Sequence, residues 1–192
     1  MPDVLKVAEA EFPTRFGHFR IFGFQGGSEE AVVLRMGDVT QGPPLVRIHS
    51  QCLTGDVFHS LRCDCRAQLE LSLEMIAAEG RGIVIYEQQE GRGIGLLNKL
   101  RAYELQDHGA DTVEANQRLG FEADLRDYAL PAAILRHFGV ASVRLLSNNP
   151  DKIEALERAG IAVAERIPCQ PPETTTTTRY LETKRDKLGH LL

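Results

Sequence analysis

The sequence predicts an α/β protein with mixed sheets and flanking helices, β-rich in its N-terminal part and βαβ in its C-terminal part. Three observations predict this class. Apolar and polar residues alternate in the first fifty residues, the period changes to that of a helix after Cys65, and the last third contains a strand–helix–strand pattern. The chain has 192 residues, of which 43% are hydrophobic, so it can build a substantial core.

The N-terminal part contains three segments that predict strands. The first is FGHFRIFGF, which ends at a pair of glycines typical of a turn. The second and third are EEAVVLRMGDV and PPLVRIHS. Together they account for the β-rich character of this part of the chain.

The middle of the chain alternates helices and strands. Leu69, Leu73 and Ile76 recur at helical spacing, and Gly80 lies where that helix would end. A short apolar strand, GIVIYE, and a glycine-rich loop, EGRGIG, come next. The segment LLNKLRAYELQDHG then predicts a second helix that ends at Gly109.

The last third contains a βαβ unit. SVRLLS predicts a strand, after which Asn149 can cap and Pro150 can open a helix that runs to about Ala159 and stops at Gly160. IAVAERI predicts the next strand. A strand, a helix and a second strand in this order favour a parallel pair.

The segment PCQPPETTTTTRY interrupts this regularity. Its prolines and threonines predict an exposed, flexible loop at about residues 170–178, and an edge strand over Thr174–Thr178 is the alternative. The chain shows no internal repeat and no obvious linker. We therefore expect a single domain over residues 1–192.

Charge and hydropathy limit the possible partners. The formal net charge is −5, so the chain lacks the basic field with which proteins grip nucleic acid, although local arginines can still bind a small anion. No segment reaches the roughly 20 apolar residues of a membrane helix. The N-terminal segment also lacks the apolar core of a signal peptide. We expect a cytoplasmic protein with neither nucleic-acid nor membrane partners.

Three of the four cysteines lie in one short segment, CLTGDVFHSLRCDC. They are Cys52, Cys63 and Cys65, and the fourth, Cys169, lies far away. In a reducing compartment, clustered cysteines indicate metal binding or catalysis more often than disulfides. Three protein ligands leave a fourth coordination position open, which is typical of catalytic zinc.

Two other interpretations of the cysteines stay open from the sequence alone. The three thiols can be inert core residues, since free cysteine is often buried. Alternatively, His49 or His59 can complete a structural zinc site.

Four further motifs are candidates for ligand binding. The glycine-rich EGRGIGLLNK follows a predicted strand and opens a helix, so backbone N–H groups and Arg92 can bind an anion there; a tight packing turn is the alternative. RIHSQ leads directly into Cys52. FEADLRDY places Asp124 and Arg126 on one face of an extended segment, as a site pair or a surface salt bridge. SNNPDK, with Lys152, combines helix capping with a position at a strand end.

Taken together, the chain resembles the GTP cyclohydrolase II family, which catalyses the first step of riboflavin biosynthesis. The motifs that carry the resemblance are RIHSQCLTGDVFHSLRCDC, EQQEGRGIGLLNKLRAYELQDHGADTVEAN, LGFEADLRDY and LLSNNPDK, over about residues 45–155. The segments VAEAEFPTRFG and YLETKRDKLGHLL also look similar.

The resemblance implies the chemistry of the site. It implies that a zinc ion on the three cysteines activates water, that the water attacks C8 of guanine, and that formate is released. Tyr103 would assist ring opening. Asp124 and Arg126 would release pyrophosphate, with Arg126 either attacking the α-phosphate or only stabilising its charge. Mg²⁺ would accompany the triphosphate, and the protein would be a homodimer.

The resemblance also implies a set of GTP contacts and the identity of the product. The product would be 2,5-diamino-6-hydroxy-4-(5-phosphoribosylamino)pyrimidine. The residues that match the family's GTP contacts are Arg47, Ile48, His49, Ser50, Gln51, Gln68, Glu90, Gly91, Arg92, Thr112, Ser147 and Lys152.

Two departures from the family pattern flank the cysteines. Gln51 stands where the pattern has Glu, and Arg66 stands where it has Gly. They leave room for a relative that retains the formyl group and yields a formamidopyrimidine, or that serves another purine-derived pathway. A relative that binds GTP without turnover is the third alternative.

Overall fold

One mixed sheet organises the molecule. The computed structural model describes residues 4–122, 124–171, 189 and 191. Seven strands form the sheet in the order β1-β2-β3-β5-β4-β6-β7. The strands are β1 (Val4–Thr14), β2 (Gly17–Gly26), β3 (Glu29–Met36), β4 (Leu45–Ser50), β5 (Gly82–Glu87), β6 (Ser142–Leu146) and β7 (Ala162–Ile167). The helices are α1 (Leu53–Asp56), α2 (Cys65–Glu79), α3 (Leu96–Asp107), α4 (Thr112–Arg118), α5 (Ala129–His137) and α6 (Pro150–Arg158).

The sheet has an antiparallel half and a parallel half. Strands β1, β2, β3 and β5 pair antiparallel, whereas β5, β4, β6 and β7 pair parallel. This confirms the predicted α/β class, with a β-rich N-terminal part and a C-terminal βαβ unit. The parallel half matters for function because parallel strands bring their carboxyl ends to one edge.

The predicted boundaries agree closely with the observed ones. Helix α2 ends at Gly80, whose φ of 75° is left-handed and suits glycine. Helix α6 begins at Pro150, and the Asn149 side chain accepts a hydrogen bond from the Asp151 N–H at 3.0 Å. Both predicted helix ends are therefore confirmed.

Three helices were not predicted: α1, α4 and α5. Helix α4 carried a signal, because Asp111 and Glu114 form a reciprocal capping box around its first turn. Helix α5 is short and buried, and Leu130, Ile134 and Leu135 all lie in the core. An apolar segment of this length has no clear period in the sequence.

The core lies between the sheet and its helices. The central strands contribute side chains that are almost wholly buried, among them Val46, Ile48, Ile83 and Ile85. Strands buried on both faces read as continuous apolar runs, as GIVIYE does. The predicted flexible loop over Thr174–Thr178 lies outside the described residues. Within the part of the chain that the structure describes, no helix has the length and apolar character to cross a membrane.

Candidate active site

The site is built at the carboxyl edge of the parallel strands. Strand β4 runs into Gln51 and Cys52, β5 runs into the glycine-rich turn Glu90–Gly93, and β6 runs into Ser147. These segments line one pocket. Open parallel sheets bind ligands at this edge because loops from neighbouring strands converge there.

The three clustered cysteines meet in this pocket. Cys52 follows β4, Cys65 opens α2, and the three Sγ atoms lie within 4.8 Å of one another. The Cys52 and Cys63 sulfurs are 3.7 Å apart. Two thiolates bound to one tetrahedral zinc ion at about 2.3 Å are about 3.8 Å apart. The donor atoms and their spacing therefore fit a zinc ion.

Neither histidine completes the cluster. The buried His49 ring directs Nε2 at both carboxylate oxygens of Asp56, each 3.2 Å away. Among the residues that the structure describes, no His, Asp or Glu joins the three cysteines as a potential ligand. A four-ligand zinc site completed by His49 or His59 is therefore not formed by the described residues. Three ligands leave a coordination position for water or substrate.

Local structure lets the three cysteines pack closely around Gly55. A Cβ atom placed on Gly55 would lie 2.7 Å from the Cys63 sulfur and 3.2 Å from the Cys52 sulfur. Asp56 fixes the approach of the chain, because its Oδ2 accepts from the Cys52 N–H at 3.0 Å and from the Tyr86 hydroxyl at 2.8 Å. A small residue and a buried carboxylate thus shape the cluster.

The thiols share their protons unequally. Hydrogen bonds from Cys63 and Cys65, helped by the nearby Lys99 charge, hold the pKa of Cys52 well below its usual range. The hydrogen bond with the Cys52 thiolate raises the pKa of Cys63 to about 11. The pKa of Cys65 is raised in the same way. This pattern favours the thiolate form of Cys52, which is the form that binds metals.

Tyr103 lies beside the cysteine cluster. Its hydroxyl is 3.2 Å from the Thr54 hydroxyl, which is itself 3.7 Å from the Cys52 sulfur. The Arg62 guanidinium lies 4.7 Å from the centroid of the Tyr103 ring. Burial raises the pKa of Tyr103. The phenol therefore keeps its proton near neutral pH, as a general acid requires.

A second group of side chains forms a cationic wall. Lys152 is 4% exposed, and its ammonium donates to the Ile48 carbonyl at 2.8 Å. Burial, followed by the charges of Arg47 and Arg126, lowers the pKa of Lys152 well below its usual value. Arg47 donates to Gln68 Oε1 at 2.6 Å. Such a wall favours an anionic ligand, whose charge would relieve the repulsion.

Arg126 and Asp124 form a close ion pair. The Arg126 Nε donates to Asp124 Oδ1 at 2.8 Å, and its Nη2 donates to Asp124 Oδ2. Burial alone would lower the pKa of Arg126, but the hydrogen bonds and charge of Asp124 raise it. Burial alone would likewise raise the pKa of Asp124, but Arg126 lowers it. Both side chains are therefore ionised.

A buried carboxylate lies behind this pair. Arg126 Nη1 is 3.4 Å from the Ser50 hydroxyl, and that hydroxyl donates to Glu87 Oε1 at 2.8 Å. Burial raises the pKa of Glu87, although the charge of Lys152 opposes the shift. Ser50 thus connects the pocket wall to a carboxylate that sequence analysis did not single out.

Two consecutive residues of the glycine-rich turn have a left-handed backbone. Gly91 has φ 63° and ψ 27°, and Arg92 has φ 62° and ψ 37°. The Arg92 carbonyl accepts from the Leu125 N–H at 3.0 Å, which joins the turn to the segment that carries Arg126. Arg92 Nη1 is buried and has no hydrogen-bond partner within the described chain. The unpartnered Arg92 Nη1 is a donor that an anionic ligand can satisfy.

The structure brings most of the predicted residues into this pocket. Those that line it are Arg47, His49, Ser50, Gln51, Cys52, Cys63, Cys65, Gln68, Glu90, Gly91, Arg92, Tyr103, Arg126, Ser147 and Lys152. Asp124 contacts the pocket through Arg126. Ile48 contributes its carbonyl to Lys152, and its side chain is in the core. Thr112 begins α4, and its side chain is not among those described.

Sequence analysis missed other pocket residues. Lys99, Ala102 and Gln106 line the pocket from α3 together with Tyr103. Lys99 and Tyr103 are four residues apart, a spacing that places both on one face of a helix and could have identified Lys99. Asn148 and Asn149 line it from the end of β6.

Fold and site together define the class of protein: an α/β enzyme that places a three-cysteine cluster able to hold a metal ion and a cationic wall in one pocket. A family model described as GTP cyclohydrolase II matches residues 5–168. GTP cyclohydrolase-2 of Pseudomonas aeruginosa strain PAO1 is 57% identical, covering 98% of this chain and 94% of the relative. GTP cyclohydrolase-2 of Azotobacter vinelandii is 55% identical, covering 98% and 92%. The chain belongs to the GTP cyclohydrolase II family.

One solved structure shows a distant similarity. A two-domain 3,4-dihydroxy-2-butanone 4-phosphate synthase from A. baumannii aligns with a TM-score of 0.43 and 19% identity. The match covers 75% of this chain and 34% of that one. A similarity this low supports no conclusion about the site.

Proposed function

We propose that this protein hydrolyses GTP in a zinc-dependent reaction that opens the imidazole ring of guanine. The reaction releases formate and pyrophosphate and leaves 2,5-diamino-6-hydroxy-4-(5-phosphoribosylamino)pyrimidine, as the first step of riboflavin biosynthesis. Family membership and the name of the close relatives support this assignment. The observation that carries it is the single pocket that holds both a three-thiol cluster and a cationic wall.

Cys52, Cys63 and Cys65 would hold the zinc ion. When bound, zinc supplies Lewis-acid activation of water for hydrolysis at a ring carbon. Tyr103 lies beside the cluster with its hydroxyl held by Thr54, so it is placed to give a proton to a ring nitrogen as the ring opens. The base of GTP would therefore lie toward α3 and the cysteines.

The triphosphate would lie against the cationic wall. Arg92 and Arg126 offer positive charge there, the negative phosphates would favour the charged form of Lys152, and Mg²⁺ would accompany the phosphates. Because Asp124 raises the pKa of Arg126, the guanidinium keeps its proton and has no free lone pair. This favours charge stabilisation by Arg126 over direct attack on the α-phosphate. Attack by Arg126 is the alternative.

The neutral pocket residues would set the orientation of the nucleotide. Gln51 and Ser147 line the pocket from the ends of β4 and β6, and Gln68 lies beside Arg47. The carbonyl of Ile48 and the side chain of His49 already have protein partners, so they would act by holding Lys152 and the cluster in place. Thr112 stays in the proposal as a contact of the nucleotide.

The proposal extends to the form of the protein. In this proposal, residues 1–192 form one catalytic domain, the protein is a homodimer, and it is located in the cytoplasm. The family match over residues 5–168 and the single seven-stranded sheet support one domain.

Gln51 favours a second candidate. It lines the pocket where the family pattern has a carboxylate, so the second hydrolysis that releases formate can be impaired. The product would then be a formamidopyrimidine. Arg66 carries less weight, because it donates to the Asp56 carbonyl at 2.8 Å and pairs with Glu70 at 2.9 Å.

Mass spectrometry of the products formed from GTP, Zn²⁺ and Mg²⁺ tests the proposal. We expect the diaminopyrimidine, formate and pyrophosphate, and at least about a hundredfold slower formate release after Cys63→Ala, since the water would lose its activation. A product that keeps the formyl group would support the second candidate. Unchanged GTP in the presence of bound zinc would overturn both.

A further inference from the structure

Lys99 lies, largely buried, between the Cys52 sulfur and the Glu90 carboxylate. Its side chain is 13% exposed, and its ammonium donates to the Cys52 sulfur at 3.0 Å and to Glu90 Oε1 at 2.7 Å. The same nitrogen lies 5.8 Å from the centroid of the Tyr103 ring. The Lys99 ammonium is therefore engaged by two protein partners on the side of the cysteine cluster.

Glu90 is fully engaged by the protein. Its Oε2 accepts from the Leu53 N–H at 2.7 Å, and its Oε1 accepts from the Gly91 N–H at 3.0 Å as well as from Lys99. Leu53 follows a cysteine of the cluster, and Gly91 belongs to the glycine-rich turn. Glu90 therefore links the two halves of the pocket, rather than presenting a free carboxylate to a ligand.

The glycine-rich turn is shaped to admit Lys99. A Cβ atom on Gly91 would lie 3.2 Å from the Cβ of Lys99. The helix that carries Lys99 begins directly after this turn, at Leu96. The lysine, the carboxylate and the turn thus form one packed unit beside the cluster.

We propose that Lys99 is a positioning residue of the metal centre, which holds the Cys52 sulfur by an N–H···S hydrogen bond and ties it through Glu90 to the glycine-rich turn. The proposal rests on the metal site of the proposed function. Three thiolates around a divalent ion leave a net charge of −1, which the Lys99 ammonium offsets. Groups that orient and compensate metal ligands typically change metal affinity tenfold to a hundredfold when removed.

Metal affinity of the full-length protein tests this role without reference to turnover. The zinc dissociation constant is measured by competition with a chromogenic chelator in the unaltered chain, Lys99→Met, Lys99→Arg and Glu90→Gln. We expect Lys99→Met to raise the constant about tenfold to a hundredfold. Lys99→Arg keeps the charge and should recover part of the loss, and Glu90→Gln should raise the constant to a lesser extent.

Arg101→Gln is the matched control. Arg101 lies on the same helix, is exposed, and donates to Asn98 Oδ1 at 3.1 Å. This variant removes one positive charge from α3 without touching the cluster. Its zinc dissociation constant should stay within about twofold of that of the unaltered chain.

Cobalt substitution provides a spectroscopic signature that a general loss of packing would not give. The thiolate-to-cobalt charge-transfer band should shift in Lys99→Met and Glu90→Gln, because the hydrogen bond changes the electron density on the Cys52 sulfur. It should superimpose on that of the unaltered chain in Arg101→Gln. Far-ultraviolet circular dichroism of each variant shows whether it is folded. If Lys99→Met is unfolded, the comparison is made with Lys99→Arg instead.

Two results would overturn the inference, and each would exclude a different part of it. Equal zinc affinity and equal cobalt spectra for the unaltered chain and the folded Lys99 variants would remove the role of Lys99 alone. Absence of zinc binding by the unaltered chain would remove the metal site of the proposed function itself.

Discussion

At the scale of single residues, the absence of a side chain at Gly55 shapes the cysteine cluster. Gly55 lies in α1 between the cysteines, and the space where its Cβ would be is bordered by Cys63, Cys52 and Cys65. The structure gives it no left-handed φ, so its backbone suits alanine. Glycine is needed here for space, not for conformational freedom.

Gly55→Ala should therefore weaken metal binding. The added methyl group would lie 2.7 Å from the Cys63 sulfur, which must move away from the position it needs for coordination. We expect the zinc dissociation constant to rise at least about tenfold, measured by chelator competition. Gly23→Ala is the control, because nothing lies within 4 Å of its added Cβ. An equal effect of the two substitutions would contradict the steric argument.

At the scale of elements, the glycine-rich turn supports the segment that carries the Arg126–Asp124 pair. Gly93 has φ 91°, and a Cβ placed on it would lie 3.0 Å from the Cβ of Leu125. The Leu125 N–H also donates to the Arg92 carbonyl at 3.0 Å. Two motifs that are separate in the sequence are therefore packed against each other.

Gly93→Ala should slow GTP turnover without loss of zinc. The methyl group would displace the segment around Leu125, and with it Arg126, while the cysteines stay in place. We expect turnover to fall at least about tenfold, since displacements of about 1 Å at a site are costly. Gly27→Ala is the control, because its φ of 63° also strains an alanine by about 1–2 kcal/mol, but its added Cβ meets no atom within 4 Å. Similar losses of turnover in both variants would mean that backbone strain, and not the contact with Leu125, causes the effect.

At the scale of the whole molecule, the metal would join the end of a central strand to the start of a helix. Cys52 follows β4, and Cys65 is the first residue of α2, which packs on β4 and β5. An ion at this junction fixes the edge of the parallel half-sheet, where the pocket lies. Metal binding should therefore be linked to the stability of the fold.

Zinc should raise the thermal unfolding midpoint. At a free zinc concentration about a thousandfold above the dissociation constant, binding to the native state adds up to about 4 kcal/mol. For a chain of this size that is a shift of about 8–16 °C, which scanning calorimetry can measure. A chelator should abolish the shift, and Cys63→Ser should lack it. A shift retained in Cys63→Ser would place the stabilising ion elsewhere.

The sequence was informative where a signal is local. The helix ends at Gly80 and Pro150, the strands of the parallel half, and the crowding of three cysteines were all readable from neighbouring residues. Helix α5 was not, because a short apolar run fits a buried strand as well as a buried helix. Lys99 was missed because its partner Cys52 is 47 residues away in the chain.

By itself, the sequence determined the α/β class, the cysteine cluster and the family to which the chain belongs. Tertiary structure alone decided that His49 pairs with Asp56 instead of completing the cluster, and that Glu90 is held between Lys99 and the backbone. Local patterns reflect the periodic burial of each element, which neighbouring residues specify. Partners across a pocket depend on how the parallel strands converge at one edge, and that is a property of the assembled sheet.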